Sequence, residues 1–580
     1  MPAVRRRVAA IAAAVGATLA VAAGVYLSRS ANRPPAYNVL LISLDTVRQD
    51  VLGCYGRRPR HAADLSPSPA LDAFARAGVR MIDAYASSSW TLPSHISMMT
   101  GQPAVTHGVE TEAGSLDPHT PTLASTLKSH GYQTVGIYSA PYLEPHWGFG
   151  AGFDHYEAVY AEDVLAASER ASQIRRAADR AASAADWPQY DRLKQQQADN
   201  EDQLDRSSEQ AITSDQVTAA ALAQLEQLAR SGRPWFLFAH FFDAHCDYVP
   251  PPPYDTRFDP DYAGAFTGRN CLRDASVALP DPEAPGSVIR TLSDRDLEHV
   301  VALYEGEVAW VDAHIGAMLQ ALDRLNLTAT TLVVIVGDHG EEFFEHRNIG
   351  HRHALYEESV RVPLLLRLPG VLPAGAAVHG PVSVTDLFPT VLDIVGLSGP
   401  ATPGAVSFLP LIRGGDAARR EILSRLVMMY QGQVAVDAGD QVSFRQIMVQ
   451  DVFRQGPIKI TRTRSWPQFP GNVSPAVREV LRTEAAAQHD REQVKWIDVE
   501  RFPDEREADY STSFADPAAR AALDAFRLQY ATAANLRSAA HGSTPLPDNV
   551  RNALQGLGYL DSTGGPSFPE PDVRLPPPHD

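Results

Sequence analysis

A hydroxyl, two carboxylates and a run of imidazoles are spaced along this chain in a way that suits metal-assisted chemistry on an anion. The stretch Ser89-Trp90-Thr91-Leu92-Pro93-Ser94-His95 places a small hydroxyl side chain just before a Pro-Ser turn able to open a helix. A helix N-terminus offers unpaired amide donors and positive potential to an anion. A threonine there can attack phosphorus or sulfur once a metal lowers its pKa. Taken alone, Thr91 or Ser94 also reads as a simple helix cap, a common use of Ser and Thr. Asp45, Asp338 and His339 alter that balance, because they supply oxygen and imidazole ligands from two strand ends, and Thr91 completes a site for one divalent cation. Asp338-His339 is followed by Gly340-Glu341-Glu342 and then by His346, His351 and His353. His346, and at least one of the other two, also fit as solvated loop residues.

Three apolar runs must carry these groups. Val39 to Leu44 is nearly continuous and ends at Asp45, Thr331 to Val336 ends at Gly337-Asp338-His339, and Trp235 to His240 leads into Phe241-Phe242-Asp243-Ala244-His245. Such runs suit central parallel strands covered on both faces, and in open α/β sheets ligands gather beyond the strands' carboxyl ends. A helix is predicted from Ser293, with Asp296 in capping-box position and Leu297, Val300, Val301, Tyr304, Val308, Val311, Ile315 and Leu319 on one stripe. Another is predicted from about Val217 to Leu228, ahead of the third strand.

The 580 residues exceed one ordinary core. The predicted organisation is an N-terminal segment and linker over 1–37, a large α/β domain over 38–370, a smaller α+β domain over 371–563 and a Pro-rich disordered tail over 564–580. The span 161–210, rich in Ala, Arg, Gln, Asp and Glu, reads as a helical insertion, with disorder as its alternative. Arg5-Arg6-Arg7 followed by the apolar run from Val8 to Leu27 predicts a signal anchor or cleaved signal peptide that exports the rest, with a possible attachment to the membrane. The net charge of −18 argues against a nucleic-acid or anionic-membrane binder acting through bulk charge. Cys54, Cys246 and Cys271 can close at most one disulfide.

The ordered blocks Asn38 to Arg48, Thr91 to His95, Phe242 to His245, Val336 to Glu341, Leu355 to Pro363, Val384 to Thr390 and Leu557 to Leu560 resemble the signature blocks of the sulfatases, in the alkaline phosphatase superfamily. The resemblance implies a large mixed sheet flanked by helices with a smaller C-terminal domain. It also implies an anionic ester as substrate, one divalent metal ion (calcium, manganese or zinc) on Asp45, Asp338 and His339, and His245 binding or protonating the ester. A lysine of the family falls near Arg352, so His351, Arg352 or His353 would serve in its place.

Departures from the family pattern redirect the chemistry. Thr91 stands where sulfatases carry the Cys or Ser converted to formylglycine, His95 where they carry Arg, and Thr46 where they carry a second Asp. His339 follows Asp338 in place of the Asn of many members, and the family's Lys-x-His pair would fall near Ser139 and Pro141. These changes are similar to the threonine-using relatives, the nucleotide pyrophosphatases and the phosphoethanolamine and glycerol-phosphate transferases of bacterial envelopes. The implied chemistry is attack by Thr91 on a sulfate or phosphate ester, with His245 and His351 or His353 at the leaving group and His95, Asp243 and Arg352 at the substrate. A second metal on Asp243 and His245 is a lesser alternative. Headgroup transfer from a lipid, and a catalytically silent protein binding anionic glycans, are the competing functions.

Overall fold

The computed structural model describes residues 37–111, 114–159, 213–268, 278–280, 288–416, 420–436, 440–468 and 491–536, with 189 and 192. The N-terminal apolar run, almost all of the 161–210 insertion, the block at Leu557 to Leu560 and the tail lie outside those residues. Among the described residues no helix is long and apolar enough to cross a membrane.

The three apolar runs form the middle of an eight-stranded sheet. Its order is Ala376–Val378, Val79–Met81, Leu364–Arg367, Thr331–Gly337, Asn38–Leu44, Trp235–Phe241, Gln133–Tyr138, His155–Ala158. Leu364–Arg367 alone runs antiparallel to its neighbours, so the sheet is mixed as expected. Successive side chains of the central strands alternate between two cores. Val39, Leu41, Phe236, Phe238, Leu332 and Val334 enter one, while Leu40, Ile42, Leu237, Ala239, Val333 and Ile335 enter the other. Helices Thr91–Thr100 and Leu387–Val395 cover the first face; Ser214–Ser231 and Asp294–Arg324 cover the second. The long helix begins where the capping pattern places it, with Ser293 accepting from the Asp296 amide and Val300, Tyr304, Val308, Val311 and Ile315 buried.

The boundary expected at 370 is not where the sheet ends. Ala376–Val378 adds a parallel strand beside Val79–Met81, and Leu387–Val395 packs its Val391 and Leu392 into the first core. The smaller unit begins with Glu421–Val436. That strand leads a four-stranded antiparallel sheet with Asp440–Gln455, Ile458–Gln468 and Arg491–Asp498. Helix Pro517–Asn535 closes it through Phe526 and Tyr530 against Phe453 and Ile460.

The two units share buried polar contacts. The Arg425 amide donates to Ser87 O at 2.8 Å, and Ser424 Oγ donates to Ala86 O at 2.7 Å. Arg425, 2% exposed, grips Asp451 with Nε and Nη2 at 2.6 and 3.0 Å. It also donates to Glu110 at 3.0 Å and to the Tyr530 hydroxyl at 2.7 Å.

Candidate active site and metal centre

Asp45 and Asp338 come together because the ladder continues one residue past the strands: the Asp45 amide donates to Phe241 O, and the Asp338 amide to Leu44 O. Asp45, Asp338 and His339 are fully buried and offer one carboxylate oxygen each from the acids and one ring nitrogen, all within 4.8 Å of one another. His339 Nδ1 donates to Gly340 O at 2.9 Å, which leaves the Nε2 lone pair facing the acids, 3.4 Å from both Asp45 Oδ1 and Asp338 Oδ2. Burial, with His351 beside it, lowers His339 to about 3, so the ring is the neutral form that binds metals.

Asp45 Oδ1 and Asp338 Oδ2 have no hydrogen-bond partner although both are buried. Orphaned carboxylate oxygens in a dry pocket are costly unless a cation or a proton takes them. Burial and the neighbouring Asp45 carboxylate push Asp338 well above the usual range. Burial would raise Asp45 too, but the imidazoles of His240, His339 and His245 around it hold it low. Two acids and a neutral imidazole suit one divalent cation.

Thr91 is the first residue of the helix Thr91–Thr100, behind an extended Trp90, and Pro93 fits the first turn where its missing N–H costs nothing. Neither hydroxyl caps the helix. Ser94 Oγ donates to Asp338 O at 2.6 Å, and Thr91 Oγ1 points into the cluster, 3.5 Å from Asp45 Oδ2 and 3.4 Å from His339 Nε2. His95, one turn on, lies beneath the centre: Nδ1 donates to Thr91 O at 2.9 Å and Nε2 accepts from Ser43 Oγ at 2.8 Å. Burial, with His240 nearby, lowers His95 to about 3, so it supplies no positive charge where the family pattern has arginine.

Thr46, in the left-handed region at φ 55, donates its amide to Asp338 Oδ1 and its hydroxyl to Ala244 O. It therefore braces one ligand and the loop that carries His245, rather than adding a ligand. His245 stacks on Phe242 with centroids 4.5 Å apart and meets His351 edge-on at 4.9 Å. His351 in turn lies 4.7 Å from the His339 ring.

Not every residue expected at the site reaches it. Asp243 turns away and accepts from the amides of Thr213 and Ser214, both at 2.9 Å, fixing the start of the Ser214–Ser231 helix. That use of its carboxylate takes it out of both the substrate role and a second metal. His353 donates to Ile349 O, and His346 pairs with Glu358 and stacks on Tyr356. Arg352, at φ 68, donates its amide to Ser89 O and lays its guanidinium 4.0 Å from the Trp90 ring while donating to the Tyr142 hydroxyl. It stands beside the segment that carries Thr91.

Two buried groups were missed from the sequence. His240 Nε2 lies 3.3 Å from Asp45 Oδ2; its signal was an imidazole inside an otherwise apolar strand. Glu341 Oε1 lies 2.9 Å from His351 Nδ1; its signal was a pair of acids straight after Asp338-His339-Gly340. Cys54 is a free thiol pushed up to about 12 by burial and nearby Asp72, and Cys246 is disulfide-bonded.

Known proteins are similar to this chain over part or most of its length. Arylsulfatase K from Mus musculus is 36% identical over 125 residues, 22% of this chain and 22% of that protein, so the chain matches well under two thirds of its length. Steryl-sulfatase from Mus musculus is 28% identical over 473 residues, 73% of this chain and 72% of that one. The solved phosphonate monoester hydrolase of Agrobacterium radiobacter has the same fold, with a TM-score of 0.57 at 20% identity over 87% of this chain and 97% of that one. The sulfatase profile matches residues 37–397, a span that takes in all eight strands of the main sheet and the cluster at their ends. With that match over more than half its length, the chain belongs to the sulfatase family of the alkaline phosphatase superfamily.

Proposed function

We propose that the chain hydrolyses sulfate or phosphate esters outside the cytoplasm, with Thr91 as nucleophile and one divalent cation on Asp45, Asp338 and His339. The observation that carries this is the position of Thr91 Oγ1, within 3.5 Å of Asp45 Oδ2 and 3.4 Å of His339 Nε2 at a cluster with two orphaned carboxylate oxygens. The disulfide at Cys246 supports an oxidising compartment, in keeping with the exported N-terminal pattern.

When bound, the cation supplies Lewis-acid polarisation and favours the deprotonated hydroxyl. Thr91 Oγ1 gives its proton toward Asp45 Oδ2 and forms a bond to sulfur or phosphorus. The bond to the leaving oxygen breaks, its electron pair stays on that oxygen, and the oxygen takes a proton from His245 or His351. Water then gives one proton to that same histidine and attacks the same sulfur or phosphorus, while the bond to Thr91 Oγ1 breaks with its electron pair on Oγ1, which takes back the proton held by Asp45. His95 and Ser94 hold the helix turn that aims Thr91, while Arg352 braces Trp90 and Ser89 just before it.

The test is a panel of aryl sulfates and phosphate mono- and diesters assayed with manganese, zinc or calcium. Thr91→Ala is expected to lower turnover about 10³-fold or more, as loss of a nucleophile does. Unchanged turnover in Thr91→Ala overturns the nucleophile, and no turnover of any ester by the wild type overturns the enzyme.

A further inference from the structure

Glu341 is wholly buried at the end of a short hairpin, and nothing in the chemistry above uses it. Glu342–Phe343 pairs antiparallel with Ile349–Gly350, with Glu342 opposite Gly350. One step further out, the same register sets Glu341 opposite His351, and their side chains meet with Oε1 2.9 Å from Nδ1. Both side chains are removed from water, 0% and 3% exposed, so the bond has no competing solvent. On its other sides the His351 ring lies against His339 and His245, the metal ligand and the second imidazole of the site.

An imidazole offers two different nitrogens, and a half-turn about its last torsion puts a ring carbon where each of them stood. A hydrogen-bond partner fixed at Nδ1 selects which one meets the substrate. We infer that Glu341 is a positioning residue that holds His351 by Nδ1, so that Nε2 is the atom presented to the leaving oxygen of the ester. This rests on His351 serving the leaving group as proposed above. Glu341 is placed neither at the ester nor at the cation, and its hydrogen-bond link to the site is the His351 ring.

The full chain is assayed on aryl esters whose phenols run from good to poor leaving groups, using whichever ester class the wild type turns over. His351→Ala is expected to steepen the fall of kcat/KM with leaving-group pKa. Glu341→Ala should steepen it in the same way, costing about 10²-fold in kcat on the poorest leaving group and under about 3-fold on the best, with KM unchanged. Glu341→Gln, whose amide still hydrogen-bonds Nδ1, should keep most of the wild-type profile, and Glu341→Ala added to His351→Ala should cost little more. If Glu341→Ala does not fold, Glu341→Leu fills the same volume and is read in the same series. A uniform loss across the esters, with slope unchanged where His351→Ala changes it, assigns Glu341 a packing role and overturns the inference. A slope untouched by His351→Ala overturns the His351 role instead, and the inference with it.

Discussion

Replacing Asp338 by Asn should stabilise the metal-free protein and remove most of the stabilisation that a cation gives. In the metal-free state Asp338 Oδ2 and Asp45 Oδ1 are buried without partners, and burial together with the Asp45 charge opposes ionisation of Asp338. One unsatisfied buried acceptor costs about 1–3 kcal/mol. Asn cannot ionise beside Asp45 and brings an NH2 that can donate to it, so the variant should be more stable than wild type by about 1–3 kcal/mol in chelator. A cation at about 100 times its Kd should stabilise wild type by about 2.7 kcal/mol, near 2 °C for a chain of this size. The variant has lost a carboxylate ligand and should gain only a small part of that shift. Calorimetric unfolding of the full chain, in EDTA and then with manganese, zinc or calcium, measures both terms. A variant less stable than wild type in EDTA, or one that gains the full cation shift, would refute the placement of the cation between these two acids.

Arg425→Leu leaves Asp451 and Glu110 buried without their cation and should cost about 3–5 kcal/mol in denaturant unfolding, with much of the loss recovered when Asp451→Asn and Glu110→Gln are added. Gly101 ends the Thr91 helix at φ 65, and a Cβ there would sit 2.7 Å from Thr402 Cγ2 and 3.0 Å from Phe388 Cβ, so Gly101→Ala should lower stability by about 1–3 kcal/mol by the same measurement. Asp312 accepts from the Ala70 and Leu71 amides, both at 2.8 Å, and burial raises it to about 7 from 3.8. The folded state therefore holds its proton more tightly than the unfolded chain, so its contribution is fully present below about pH 4 and is lost as pH rises toward 7. Comparing wild type with Asp312→Asn by urea unfolding at pH 5 and 7.5 should show the wild type alone losing that increment.

The central strands were legible because burial on both faces writes itself as an unbroken apolar run, and the helix at Ser293 because its cap and its stripe are both local signals. The cluster of Asp45, Asp338 and His339 was legible from two strand ends and from the family blocks they belong to. What escaped depends on pairing between distant segments. His240 is informative only because Ser43 is its neighbour across the sheet, which brings its ring to Asp45. Glu341 and His351 meet only through the register of a hairpin with two residues on each strand. The return of 376–395 to the main sheet uses a three-residue strand at its far edge, too short to leave a pattern. Asp243 looked like a site residue because it follows a strand, yet its carboxylate is drawn to the amides that open the next helix.

The strand Glu421–Val436 ties its fourth and fifth residues to the backbone at Ala86 and Ser87, a few residues before Thr91. A slip of this strand by one position would swap its two faces and pull Arg425 off Asp451, its partner directly across the ladder. The height of Thr91 above the central strands is thus indexed by a β-ladder in the other unit, like a vernier set against its scale. Cutting the chain between the two units would remove that gauge, although the large sheet holds the whole cluster of Asp45, Asp338 and His339.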